Sequence, residues 1–203
     1  AAARTMYVDV RASACGACHT RSAGAGVIQA SAGFIDHHQQ YAELLASGGH
    51  AGFDCITCHD PHAGTNYDRA NAIRNECTAC HPSKNMALHE GKVYARGEYG
   101  EVVTCTSCHM PFATRSASSV VIGESAGRVG DMRTHIFRIN TDPVDYTAMF
   151  TADLAQVVKD AEGRAAVTLD FVCLRCHNTK GGYPFRLTLS SASDAAPGLH
   201  GFQ

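Results

Sequence analysis

Cys15-Gly16-Ala17-Cys18-His19 is the first copy of the pattern that decides the fold of this chain. The same spacing returns at Cys55-Ile-Thr-Cys58-His59, Cys77-Thr-Ala-Cys80-His81, Cys105-Thr-Ser-Cys108-His109 and Cys173-Leu-Arg-Cys176-His177. These five copies use all ten cysteines of the 203-residue chain. A disulfide framework would not restrict every cysteine to one spacing, so the pattern indicates a repeated binding unit.

The Cys-x-x-Cys-His spacing is the attachment signature of c-type haem. Residues at i, i+3 and i+4 of a helical turn share one face, so two thiols can bond one haem while the histidine lies under its iron. The alternatives are a zinc site and a thioredoxin-like redox motif, and neither requires a histidine after every second cysteine. We therefore predict five haem c groups with the proximal iron ligands His19, His59, His81, His109 and His177.

The composition agrees with a core that is built partly from haem. Leu, Ile, Val and Phe together make up only 38 of the 203 residues, and five apolar haem plates would supply the missing core material. A net charge of −2 argues against nucleic-acid binding. The sequence contains no run of 18 apolar residues, so we expect no transmembrane helix. The opening Ala1-Ala2-Ala3 is typical of a chain left by signal-peptide cleavage, so we expect a secreted protein at the cell surface or, alternatively, in the periplasm.

Seven histidines lie outside the motifs and are the candidates for distal iron ligands: His37, His38, His50, His62, His89, His135 and His200. Five irons need five further ligands, so we expect histidine on both faces of each iron. The adjacent residues His37 and His38 could bind the irons of two different haems, or only one of them could be a ligand. His62 follows Pro61 and should turn toward a neighbouring haem. His200, close to the end of the sequence, is a possible inter-subunit ligand.

The spacing of the motifs suggests one five-haem domain over residues 1–203. Residues 1–109 carry four motifs, 110–172 form a motif-free insert with a hairpin, and 173–203 hold the fifth motif and a tail. We predict a mostly irregular fold with short α-helices and one small β-hairpin, organised around a stacked haem chain. The elements expected are a helix over 34–47, a loop over 116–131, a hairpin over 156–171 and an irregular tail over 180–203.

Several phrases around the motifs resemble a known group of proteins. They are His37-His38-Gln-Gln-Tyr41, Cys58-His59-Asp-Pro-His62, Cys108-His109-Met-Pro111, Thr134-His135-Ile-Phe137 and Leu169-Asp-Phe-x-Cys173. In these the chain resembles secreted, c3-like multihaem c-type cytochromes, and especially the outer-surface cytochromes that polymerise into extracellular haem filaments, or nanowires. The resemblance implies haems in stacked and T-shaped pairs, histidine on both faces of nearly every iron, and sometimes a distal histidine borrowed from the next subunit.

The expected function is electron transfer along a closely packed haem chain. With both faces of each iron filled by protein, no iron would be open to substrate, so we expect that the chain is not an enzyme. The leading form is a subunit of a filament whose partners are other copies of itself. The alternative is a soluble periplasmic shuttle whose partners are redox proteins, including a terminal reductase. A multihaem oxidoreductase enzyme is a third, less favoured reading.

Overall fold

The computed structural model describes residues 11–21, 26–65, 67–86, 88–96, 99–122, 127–179 and 185–200. Within this part of the chain the fold mixes short helices with small sheets. The α-helices are α1 Ala12–Gly16, α2 Gln40–Leu45, α3 Arg69–Ala72, α4 Cys77–Cys80, α5 Cys105–His109, α6 Leu169–Val172 and α7 Leu189–Ala195. The strands are β1 Ala30–Ser31, β2 Phe34–Asp36, β3 Val93–Arg96, β4 Tyr99–Val102, β5 Thr114–Ile122 and β6 Gly127–Met132. Turns of 3-10 helix lie at Gly48–His50, Cys55–Thr57, Tyr146–Met149 and Ala196–Gly198.

The larger sheet has the strand order β1-β2-β5-β6, and a separate hairpin joins β3 to β4. Strands β2 and β5 pair in parallel with Ile35 opposite Thr114, while the other neighbours in the sheet are antiparallel. The β5–β6 register shifts between Thr114 and Ser119, which is where a bulge bends the longest strand. This sheet joins the region before the second motif to the segment after the fourth.

Two glycines allow β6 to approach its neighbours closely. A Cβ at Gly130 would lie 2.0 Å from the Thr114 carbonyl oxygen, and one at Gly127 would lie 2.2 Å from the Leu174 carbonyl oxygen. No side chain fits at such distances, so both positions require glycine. The contact at Gly127 brings the sheet directly against the fifth motif.

A small apolar core lies between the larger sheet and α6. Phe34 and Phe171 meet edge to face with their ring centres 5.7 Å apart, and Ile28, Ile35 and Ile136 are fully buried around them. Burying an aromatic or branched side chain stabilises a fold by about 1.5–3 kcal/mol. Cys108 and Cys173 pack against this core, which therefore holds the fourth and fifth motifs.

Part of the predicted secondary structure is wrong. The helix expected over 34–47 is strand β2 followed by the shorter helix α2, because residues 34–36 pair with β1 and β5. The Gly- and Ser-rich stretch 116–131, expected as a loop, contributes to β5 and β6. Most side chains of β5 are exposed or half-buried, so small polar residues fit this strand although their composition suggested a loop.

The hairpin expected over 156–171 is absent from the described residues in that range. Gln156, Val157 and Val167 instead form isolated bridges with Gln29, Phe150 and Ile139, and α6 occupies the end of the range. Of the tail expected to be irregular over 180–203, residues 185–200 lie in the described part of the chain, and α7 with a 3-10 turn occupies 189–198. Residues 180–184 and 201–203 lie outside the described residues. The short helices of the prediction are present, but there is more sheet than one hairpin. No helix in the described ranges is long and apolar enough to span a membrane.

Candidate functional site: five paired histidines

Each attachment motif forms one helical turn. In four of them the backbone N–H of the motif histidine donates to the carbonyl of the first cysteine at 2.9 Å, at His19, His59, His81 and His177. The remaining motif is α5 itself, which begins with a capping box at Thr104 and Ser107. All ten cysteines lie in the described part of the chain and none is bonded to another. Each turn therefore presents its two thiols and its imidazole as the haem signature requires.

The structure brings each motif histidine next to one histidine from elsewhere in the chain. The distances between ring centres are 6.3 Å for His19–His38, 6.1 Å for His59–His135, 6.0 Å for His81–His50, 5.7 Å for His109–His200 and 6.0 Å for His177–His89. No histidine is used twice among these pairs. The planes of the paired rings meet at angles from 13° to 82°, yet the distance hardly changes.

This constant distance fits an iron between the rings. A histidine nitrogen binds a metal at about 2.0–2.1 Å, and a ring centre lies about 1.1 Å behind it, so two axial imidazoles have centres roughly 6 Å apart. Two direct ring contacts in the same molecule are shorter, at 4.4 Å for His37–His38 and His50–Phe137, while Phe34–Phe171 lies in the same range at 5.7 Å. The assignment therefore rests on the place of every histidine pair beside an attachment motif as well as on the distance. The paired histidines and the adjacent cysteines thus match the donor set of a haem c with two histidine ligands.

Hydrogen bonds at Nδ1 orient several of these rings. His109 Nδ1 donates to the Phe137 carbonyl at 3.0 Å, and His177 Nδ1 donates to the Phe185 carbonyl at 2.8 Å. His200 Nδ1 donates in the same way to the Asn85 carbonyl at 2.9 Å. A proton fixed at Nδ1 leaves Nε2 free as the metal-binding atom and holds the ring in place.

His135 is held by a buried carboxylate on α2. Its backbone N–H donates to Glu43 Oε2, which also accepts from Thr134 Oγ1 at 2.7 Å, and the Ser47 hydroxyl donates to the His135 carbonyl. Burial raises the pKa of Glu43 to about 7 against these hydrogen bonds. Burial lowers the pKa of His135 to about 4, with a further contribution from the nearby His59, so this imidazole is neutral at pH 7.

Consecutive motifs lie next to one another. Cys15 and Cys55 are close enough for the first thiol to help burial raise the pKa of the second to about 11. Similar proximity relates Cys58 to Cys80, Cys77 to Cys105, and Cys108 to Cys173. The Ala12 N–H donates to Asp54 Oδ1 at 2.7 Å, which ties α1 to the second motif. The five turns therefore follow one another in space in the order of the sequence.

A buried ion cluster joins the fourth and fifth motifs. Arg175 binds both carboxylate oxygens of Glu101, at 2.8 and 3.1 Å, and donates to the Ser107 carbonyl at 3.1 Å. Arg133 and the Ser107 hydroxyl also donate to Glu101, at 2.8 and 2.6 Å. Burial opposes ionisation of Glu101, but these hydrogen bonds and the Arg175 charge lower its pKa to about 2. We call Glu101, Arg133 and Arg175 the Glu101 cluster.

Sequence reasoning named all ten paired histidines but not their pairing, and it missed the Glu101 cluster and Glu43. His37 contacts His38 and His62 lies on an exposed turn, and neither is paired with a motif histidine in the described residues. His200 lies against His109 of its own chain, whereas the sequence suggested a ligand for a neighbouring subunit. The turn of 3-10 helix at Ala196–Gly198, which follows α7, is what brings the tail back to the fourth motif.

The fold and the paired histidines define a class: a multihaem c-type cytochrome. A curated relative, the dissimilatory sulfite reductase MccA of Wolinella succinogenes, is 26% identical over 156 residues, which are 61% of this chain and 21% of the relative. A solved structure of the octahaem sulfite reductase MccA from the same organism covers 83% of this chain and 28% of its own, with a TM-score of 0.46 and 21% identity. No family model matches the chain. This chain thus spans about a fifth of the curated relative that it matches.

The relationship supports haem c as the cofactor and corrects one expectation. The prediction that the chain is not an enzyme is wrong, because the relative is a sulfite reductase, which points to an oxidoreductase. A reductase that uses several electrons needs electron-supplying centres beside its reacting centre. The presence of irons with two protein ligands therefore does not distinguish an electron-carrier protein from an enzyme.

Proposed function

We propose that this chain holds five c-type haems, each between two histidines, and forms the electron-transfer part of a multihaem oxidoreductase. The observation that carries the proposal is the pairing of every motif histidine with one other histidine at 5.7–6.3 Å. When bound, haem c supplies reversible one-electron chemistry at its iron. The candidate distal ligands are then His38, His135, His50, His200 and His89, in the order of the motifs.

The protein's task in this proposal is to hold and orient. The cysteine pairs on the attachment turns would fix each porphyrin, and carbonyl groups such as those of Phe137 and Phe185 fix the proton on the imidazole Nδ1. The ring of His50 stacks on Phe137 at 4.4 Å while the Phe137 carbonyl binds His109, so one residue supports ligands of two neighbouring centres. Such shared supports keep adjacent centres at fixed separation, which electron transfer needs.

The contacts between consecutive motifs favour one continuous path. Cysteines of motifs one and two, two and three, three and four, and four and five are neighbours in turn. Each porphyrin would be bonded to the two cysteines of its motif. Attachment turns that lie side by side would therefore bring the edges of their porphyrins close together. An electron that enters beside one end of the sequence would therefore leave beside the other.

The chemistry of the relative suggests a substrate class, the oxyanions of sulfur. Reduction of sulfite takes several electrons, and five one-electron centres in one segment suit such a reaction. The test is to reduce the haem-loaded protein fully, add sulfite without air, and follow the haem spectrum and the sulfur products. In the proposal every iron of this segment lies between two histidines, so sulfite should leave the reduced spectrum unchanged until a partner that carries an open iron is added. Reoxidation with loss of sulfite by this segment alone would show that one iron is open to substrate and would overturn the pairing of all five.

We assign the chain to a compartment outside the cytoplasm, with redox proteins as its partners. Thioether attachment of haem c is made on the far side of the bacterial inner membrane, where cysteine-rich proteins are common. The pairing of His200 with His109 within one chain leaves no distal position that a neighbouring copy must fill, so it gives no support to a filament of copies of this chain, and that assembly stays a prediction.

The haem count tests the electron-transfer assignment. Intact mass after denaturation should equal the chain plus five haems, and the oxidised protein should give low-spin electron paramagnetic resonance signals only. A matched control replaces Cys77 and Cys80 with serine, which should lower the mass by one haem. Fewer than five haems in the unchanged chain, or a high-spin signal from the intact protein, would overturn the assignment.

A further inference from the structure

The Glu101 cluster places charged side chains in the protein interior, where the loss of hydration makes a charge unfavourable. The side chains of Glu101 and Arg175 are 5% and 2% exposed, and that of Arg133 is 24% exposed. Two arginines face one carboxylate, so the cluster carries a net charge of +1. A buried ion pair is weak evidence for a contribution to stability, because desolvation offsets much of the attraction. The location of the cluster suggests another role.

We propose that the Glu101 cluster raises the reduction potentials of the fourth and fifth haems above those of the first three, and so draws electrons toward that end of the chain. The inference rests on the proposed function, since it needs haems at these motifs. Glu101, Arg133 and Arg175 are then positioning and tuning residues that touch no substrate.

The cluster lies between the two attachment turns. Ser107 directly precedes the second cysteine of the fourth motif, and Arg175 directly precedes the second cysteine of the fifth. Glu101 binds both, and Arg175 reaches across to the Ser107 carbonyl. Cys108 and Cys176, which would bond the two porphyrins, both lie within electrostatic range of Glu101 and Arg175.

The sign of the effect follows from charge. An iron gains one electron on reduction, so a positive charge nearby favours the reduced form and raises the potential. A buried charge acts more strongly than one in water, because little solvent screens it. Among the described residues, the first three motifs have no comparable buried cluster: Arg74, which pairs with Asp60 beside the second motif, is 44% exposed.

The molecule contains a matched control. Asp160 also binds two arginines, Arg138 and Arg164, each at 2.9 Å, but its side chain is 32% exposed and theirs are 40% and 42% exposed. Asp160→Asn removes one carboxylate charge from a solvated cluster that also contains a second acid, Glu162, paired with Arg164 at 2.5 Å. Solvent should screen this change, so the potentials of the haems should stay where they are.

The experiment is a redox titration of the haem-loaded protein, with individual haems followed by electron paramagnetic resonance. Glu101→Gln keeps the shape and leaves two uncompensated positive charges, so two of the five potentials should rise. Arg133→Gln leaves the cluster neutral and should lower the same two. The expected size is about a tenfold change in the ratio of reduced to oxidised haem, or about 59 mV for a one-electron couple. Glu101→Asp retains the charge and should restore most of the wild-type value.

Shifts of opposite sign in the two glutamine variants, confined to two haems, support the inference. Shifts of the same sign in both, equal shifts in all five haems, or a shift in Asp160→Asn as large as in Glu101→Gln would overturn it. Each variant is first checked for five low-spin haems. Where that count holds and the potentials do not move, the inference is wrong while the proposed function stands. Arg133 is partly exposed, so its variant tests the sign even if Glu101→Gln does not fold.

Discussion

Replacing His38 with glycine separates the two adjacent histidines that the sequence could not tell apart. The ring of His38 lies 6.3 Å from that of His19 with the planes 18° apart, and His37 lies only beside His38. We expect His38→Gly to convert one haem in five from low spin to high spin. The other four should keep their spectra, because their histidine pairs do not involve this residue.

The backbone favours this variant. His38 has a φ of 63°, in the left-handed region, which costs a non-glycine residue about 1–2 kcal/mol. Glycine removes that strain and costs about 0.5–1 kcal/mol through the freedom of the unfolded chain, so the backbone change alone is close to neutral or slightly stabilising. The variant should therefore fold, and a change in its spectrum should report the lost ligand.

The assay is the high-spin signal of the oxidised protein, measured before and after addition of imidazole. Free imidazole fits the space left by the side chain and should return the fifth haem to low spin. His37→Gly is the matched control and should leave all five haems low spin. Five low-spin haems in His38→Gly, or a high-spin haem in His37→Gly, would refute the pairing of His19 with His38.

Three further substitutions test the fold that holds the site. Gly130→Ala places a methyl group 2.0 Å from the Thr114 carbonyl oxygen and should lower the free energy of unfolding by about 3 kcal/mol or more. The control Gly52→Ala, whose methyl group would meet nothing within 4 Å, should lower it by less than about 1 kcal/mol. Equal losses for the two variants in denaturant unfolding would contradict this prediction. Phe171→Ala should cost about 3–5 kcal/mol in the same assay because the ring is fully buried, and a loss below about 1 kcal/mol would show that the core is misplaced. Burial raises the pKa of Asp170 from 3.8 to about 6, so the folded state binds this proton more tightly and stability should fall as pH rises from about 4 to 6. Glu43, with its pKa of about 7, adds to that fall, so Asp170→Asn should weaken the dependence without abolishing it, and an unchanged pH profile would contradict it.

The attachment turns could be predicted from the sequence because their chemistry is local. A Cys-x-x-Cys-His unit needs only one helical turn, so its spacing is visible within five residues. The distal ligands are different, since His50 and His81 or His135 and His59 are brought together by chain folding. The number of histidines in the sequence shows that enough distal ligands are available. The assignment of each distal histidine to a motif histidine requires the three-dimensional structure.

The missed sheet and the missed ion cluster have a related cause. Strand β6 contains Gly127 and Gly130, which read as loop residues but are required by close backbone contacts with Leu174 and Thr114. Glu101 is an ordinary acidic residue in sequence, and its partner Arg175 stands between two cysteines, where any residue is allowed. Neither signal is local, because each depends on a residue tens of positions away.

The proposed function places five irons between five named pairs of histidines. Anomalous diffraction at the iron absorption edge, from crystals of the haem-loaded protein, measures those positions directly. We expect five iron peaks, each midway between a motif histidine and its partner: His19 with His38, His59 with His135, His81 with His50, His109 with His200, and His177 with His89. Fewer than five peaks, or an iron whose second axial ligand is a different residue, would contradict it.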